Sequence, residues 1–128
     1  MRLLLDTCTF LWVIGNPAAL SPRARDLFQA PDHDVYLSAA SAWEILTKHA
    51  LGRLPLPESP EHFVPRMRER HGIEALAIDE ESVLQTVRLP ALHRDPFDRL
   101  LVCQSIVHGM TLLTPDALIA QYPARVVW

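Results

Sequence analysis

Residues 2–6 read RLLLD. Three consecutive leucines form an apolar run too short for a helix, and a run of this kind suits a strand buried on both faces. An ionised carboxylate has no place in such a core, so Asp6 falls where the strand ends. The next stretch, TCTFLWVIG at 7–15, spaces Phe10, Leu11 and Ile14 along one side of a helix. Strand, acid, helix is therefore the opening unit, and the rest of the chain repeats it with variations.

Ser21-Pro22 reads as an N-cap followed by proline at the first helical position, starting a helix through about residue 29. Residues 34–38 (DVYLS) read as a second strand, and Ser38 or Ser41 then caps a helix to about residue 51, stopped by Gly52. The three prolines of RLPLPESP make 53–60 a loop, and a helix is expected over roughly 61–71. EALAI at 74–78 is the third strand, with a helix from Asp79 to about Arg88 and a loop over 89–96. A helix over 97–108 is expected to turn Leu101, Val102, Ser105 and Ile106 inward, and Gly109 ends it. A fourth strand (111–114), a short helix (116–121) and a fifth strand (125–128) complete the chain. Short apolar strands alternating with helices predict βαβ units, hence a three-layer α/β fold around a mainly parallel sheet of about five strands.

The 128 residues, 49% hydrophobic, suffice for one domain with its own core, taken as 1–128. No apolar run reaches the length of a membrane span, and Asp6 interrupts the only stretch that looks like a secretory leader, so the reading is of a cytoplasmic protein. Cys8 and Cys103 show no metal-binding spacing and no disulfide framework, and both are expected to pack as small hydrophobes. The net charge of −3 runs against nucleic-acid binding. The basic residues are eleven Arg and one Lys, and guanidinium suits phosphate; a GC-rich genome would give the same bias.

Four acids stand where strands end or helices begin: Asp6 after LLL, Glu44 in SAASAWEI, Asp98 in HRDPFDRLL and Asp116 in LLTPD. In a parallel sheet such positions meet in one crevice at the carboxyl ends of the strands. Carboxylates gathered there repel unless a cation joins them, and hard oxygen donors suit Mg²⁺ or Mn²⁺. Each acid also has an ordinary reading. Asp6, Asp95, Asp98 and Asp116 are plausible N-caps, and Glu44 is expected to face solvent or pair with Lys48 four residues on. Asp79 follows a strand and opens a helix in the same way, so spacing alone does not separate it from the others. His93 reads as a loop histidine without a catalytic task, and Trp12 and Trp43 as core or dimer interface.

At LLLDT, SAASAWEI, DPFDRLL and LLTPD the whole chain resembles PIN-domain ribonucleases, more narrowly the VapC-like toxins of type II toxin–antitoxin systems. The resemblance implies a PIN fold and a metal-dependent endoribonuclease using Mg²⁺ or Mn²⁺. It implies Asp6, Glu44, Asp98 and Asp116 as catalytic and metal-holding carboxylates and Asp95 as an additional acid. Ser38 and Thr114 match small hydroxyl positions near the pocket. It sets Asp79 aside, and it implies an RNA substrate, a homodimer and an antitoxin partner. Arg94 and Arg99 are the candidate RNA contacts. Two rivals remain: a partner-binding module with a vestigial acidic pocket, and an aspartyl phosphatase. The phosphatase motif needs a second Asp two positions after Asp6, where Cys8 stands.

Overall fold

The computed structural model describes all 128 residues. Five strands form one sheet in the order β3-β2-β1-β4-β5: β1 (Arg2–Leu5), β2 (Asp34–Ser38), β3 (Glu74–Leu76), β4 (Thr111–Leu113) and β5 (Val126–Val127). Every pairing is parallel. β1 lies at the centre because its leucines satisfy both neighbours. Leu3, Leu4 and Leu5 pair with Val35, Tyr36 and Leu37 on one side and with Thr111, Leu112 and Leu113 on the other.

The two-residue period of a strand sends Leu3 and Leu5 to one face and Leu4 to the other, and all three are fully buried. The first face is covered by α1 (Thr7–Gly15), α2 (Pro22–Gln29) and α4 (Pro60–Arg70), through Phe10, Val13, Ala24 and Val64. The second is covered by α6 (Pro96–His108) through Leu101, Val102 and Cys103, with α5 (Glu80–Gln85) against α6. α3 (Ala39–Ala50) contributes Ile45 to the first core and Ala40 to the second. The result is the expected α/β/α sandwich. No helix is long and apolar enough to cross a membrane.

Three expectations are corrected. The helix predicted over 79–88 stops at Gln85 and tightens into a 3₁₀ turn over Thr86–Arg88. The helix predicted over 116–121 is only a 3₁₀ turn at Ile119–Gln121. Asp116 Oδ1 accepts the Leu118 backbone N–H at 2.8 Å, a local turn that competes with a helical start, and Pro123 closes the segment. In α6, Leu101, Val102 and Ser105 are buried, but Ile106 is 36% exposed. By angle Ile106 lies between the fully buried Val102 and Cys103, so its exposure follows from its place a turn further along the helix and not from its face.

The strand order sets the position of a site. From β1 the chain builds outward through β2 to β3, then crosses over to β4 and β5 on the other side of β1. The order reverses at β1, so a crevice opens beyond the carboxyl ends of β1 and β4.

Candidate active site

Asp6 stands at the mouth of that crevice, directly after β1. It is the N-cap of α1, accepting the Thr9 backbone N–H on Oδ1 at 2.8 Å. Its Oδ2 accepts the hydroxyl of Thr114 at 2.5 Å. Thr114 follows β4, and its Oγ1 also accepts the Asp116 backbone N–H at 3.1 Å. One hydroxyl therefore fixes two acids 110 positions apart in the chain. Asp6 is only 5% exposed, and that burial raises its carboxyl above the ordinary range despite the bonds from Thr114 and Thr9.

Glu44 corrects the expectation of a solvent-facing side chain, since it is 4% exposed. α3 packs against both α1 and α6, so the side of α3 that carries Glu44 is enclosed. Its Oε1 accepts the Thr7 hydroxyl at 2.7 Å, and its Oε2 meets the Lys48 ammonium at 2.5 Å. The expected i,i+4 pair exists, but Lys48 reaches inward from a half-exposed position instead of drawing Glu44 out.

Asp95 is the N-cap of α6, accepting backbone N–H groups from Phe97 at 2.8 Å and Asp98 at 3.3 Å. Asp98 lies in the first turn, with Oδ2 2.9 Å from His93 Nε2. The His93 backbone donates to the Tyr122 hydroxyl (2.9 Å), and the ring Nδ1 accepts the Asp95 backbone N–H (3.3 Å). A ring that accepts at Nδ1 carries its hydrogen on Nε2, so His93 donates to Asp98. Asp116 Oδ2 is 3.9 Å from the same Nε2. One donor atom from each of His93, Asp98 and Asp116 lies within 4.8 Å of the others. Burial, then the neighbouring Asp95 and Glu44, push the Asp98 carboxyl up to about 7, against the pull of His93.

Asp6, Glu44, Asp95, Asp98 and Asp116 all line one cavity of about 400 Å³. Asp79 does not. It caps α5 and bonds His108 Nε2 at 2.7 Å, at the opposite end of α6 from Asp98 and about 15 Å away along the helix. Burial alone would raise Asp79, but the His108 and Ser82 bonds outweigh it and hold the carboxyl at about 2.

Ser38 is also elsewhere: it caps α3 and donates to Gln104 Oε1 at 2.5 Å, tying α3 to α6. Arg99 is committed to the Pro90 and Thr86 carbonyls (3.0 Å each) and to the Tyr122 hydroxyl, bracing the loop before α6. Arg94 is exposed and outside the cavity lining. Cys103 is buried as expected, but Cys8 is exposed and lines the cavity, its thiol pushed up to about 11 by burial and Asp6. Trp12 is half-buried against Trp128, whereas Trp43 is 60% exposed and rests edge-on against Phe97.

The donor set fits a hard divalent cation. Asp98 and Asp116 each bring a carboxylate oxygen within 4.8 Å of the other, with Asp6 tied to Asp116 through Thr114. Glu44 is differently placed: a hydroxyl and an ammonium already occupy both its oxygens. Sequence reasoning passed over Thr7 and gave His93 no task. Thr7 carried no sequence signal. His93 carried one, its position two residues before the capping Asp95.

The PIN domain family model matches residues 3–124. A curated relative, Ribonuclease VapC16 of Mycobacterium tuberculosis, is 42% identical over 55 residues. That stretch is 43% of this chain and 39% of the relative, so the match spans well under half of that protein. Among solved structures, VapBC2 from Rickettsia felis bound to a DNA fragment from their promoter gives a TM-score of 0.74 at 14% identity. The match covers 99% of this chain and 98% of that one. A toxin-antitoxin complex from Klebsiella pneumoniae gives 0.61 at 14% identity, covering 98% and 96%. At such identities the structural likeness concerns the fold.

Asp98 sets a pH dependence. Its folded value of about 7 lies above its ordinary 3.8, so its stabilising contribution is complete below about pH 4 and is lost as pH rises through 7. In chelator, the melting temperature is expected to fall between about pH 5 and about pH 8, and Asp98→Asn to flatten that fall. A wild-type curve that is level over this range, or that matches the variant, contradicts the burial of Asp98 among neighbouring carboxylates.

Proposed function

The chain belongs to the PIN-domain family, and we propose that it is a metal-dependent endoribonuclease, the toxin of a type II toxin–antitoxin pair, built as a single domain over 1–128. The observation that carries this reading is the gathering of Asp6, Asp98 and Asp116 around Thr114 and His93 in one cavity. The ribonuclease name of the M. tuberculosis relative and the toxin-antitoxin complex from K. pneumoniae support it.

Asp98 and Asp116, with Asp6, would hold Mg²⁺ or Mn²⁺. Such an ion supplies a water of lowered pKa and neutralises charge that builds on the phosphoryl oxygens. The chain's own groups prepare the site. Thr114 holds Asp6 and Asp116 in register, and the His93 N–H fixes the rotamer of Asp98. Glu44, pinned by Thr7 and Lys48, orients the attacking water from a fixed position. In the reaction, the water oxygen bonds to phosphorus and one P–O ester bond breaks. The departing oxygen takes a proton, and the RNA is left with two ends.

An antitoxin and a second copy of the chain are the partners this reading carries. For the second copy we assign the apolar hollow lined by Trp43, Ile78, Val83 and the partly buried Phe97; the first three are exposed and large for a free surface.

Asp6→Asn is expected to lower Mn²⁺-dependent RNA cleavage by at least ~100-fold while the circular dichroism stays native. Cleavage retained in the folded variant would remove Asp6 from the site. Light scattering of the purified chain should give the mass of two copies, reduced to one by Val83→Glu; a single-copy mass for the wild type rejects the assigned face.

A further inference from the structure

The cavity that gathers the carboxylates is also lined by two cations, Lys48 and Arg53. Lys48 is the only lysine of the chain. Its ammonium lies 2.5 Å from Glu44 Oε2, and Glu44 is buried and held from its other oxygen by Thr7. A surface lysine normally samples many rotamers, but this one is anchored through a buried carboxylate. One bond to Glu44 leaves two of its three N–H donors free, and the side chain is half exposed.

Arg53 reaches the same cavity because of how α3 ends. Gly52 takes a left-handed conformation (φ +72°), which a side chain would resist. That turn lets the Arg53 backbone N–H bond back to the Lys48 carbonyl at 2.9 Å, while the Gly52 N–H bonds to His49. The chain thus folds Arg53 back beside Lys48. The Arg53 guanidinium makes no hydrogen bond and no ion pair within the chain, in contrast to Arg99, both of whose terminal nitrogens hold partners. Its planar fork of five donors is uncommitted, and the residue lines a cavity that five carboxylates also line.

A phosphodiester carries a negative charge and would be repelled by those carboxylates. Resting on the nuclease reading above, we propose that Lys48 and Arg53 form the phosphate-holding side of the active site, binding the nonbridging oxygens of the RNA strand. They explain how a chain of net charge −3 with an acidic pocket takes an anionic substrate. They also replace Arg99 as the source of RNA contact.

The test is steady-state cleavage of a short single-stranded RNA with Mn²⁺, at several salt concentrations, for wild type, Arg53→Met, Arg53→Lys and Lys48→Met. Arg23→Met, on α2, is the control for loss of a charge away from the cavity. Arg53→Met should raise KM roughly tenfold with kcat little changed, as for one lost charge-assisted phosphate contact. The salt dependence of log KM should become shallower by about 0.7, the value for one single-strand phosphate contact. Arg53→Lys should recover most of the loss, and Arg23→Met should behave as wild type. Lys48→Met leaves Glu44 buried without its cation and risks misfolding, whereas Arg53 has no partner to orphan. The Mn²⁺-induced rise in melting temperature should survive Arg53→Met, which shows that the carboxylates still bind metal. If wild type cleaves RNA while Arg53→Met keeps its KM and salt slope, or loses only kcat, the phosphate-holding role is overturned. If wild type cleaves no RNA at all, the nuclease reading itself falls.

Discussion

The hydrogen bond from Thr114 to Asp6 is the contact on which the site depends. It joins the residues that follow β1 and β4, the pair of strands where the sheet order reverses. Parallel pairing of Leu5 with Leu113 brings the two strand ends level, and the Thr114 hydroxyl then links Asp6 to the Asp116 backbone. Without that register Asp6 would be a helix cap and nothing more. With it, an N-cap and a site carboxylate are the same group using different oxygens.

Charge is what the arrangement stores. Asp6 and Asp98 are both raised by burial, and Asp98 further by its carboxylate neighbours. A folded protein keeps such a cluster only if something offsets it, through protons, internal cations or a bound ion. One internal cation and one hydrogen-bond donor are visible: the Lys48 ammonium on Glu44 and the His93 N–H on Asp98. Neither lies on Asp116, whose Oδ2 is 3.9 Å from His93, and this is where a divalent ion has most to gain. Asp79 shows the contrast: alone with His108 at the far end of α6, it is held low and needs no cation.

Much of this was legible in the sequence. RLLL gave a strand buried on both faces; its central place and the division of its leucines between two cores came from the pairing with β2 and β4. DPFD gave a capped helix with a second acid in its first turn. The strand ends of Asp6 and Asp116 were visible as acids after apolar runs. Glu44 was named with them, but its own position argued for a surface pair with Lys48 four residues on. The pair forms, but packing of α3 between α1 and α6 buries its acidic end, and only tertiary structure decides that. Asp79 was inseparable from Asp116 by local pattern, since both follow strands; the length of α6 separates them. Arg99 looked free because its partners, the carbonyls of Thr86 and Pro90, lie 13 and 9 residues upstream and meet it only through the packing of the 3₁₀ turn on α6. Arg53 was hidden in a proline-rich loop, and its return to the cavity depends on the positive φ of Gly52.

The most direct measurement is an anomalous difference map from crystals grown with Mn²⁺. A peak in the cavity touching the Asp98 and Asp116 carboxylates, at about 2.1 Å as for a small octahedral dication, is the predicted result. A cavity without a peak at saturating Mn²⁺, or an ion bound only elsewhere on the molecule, would contradict it.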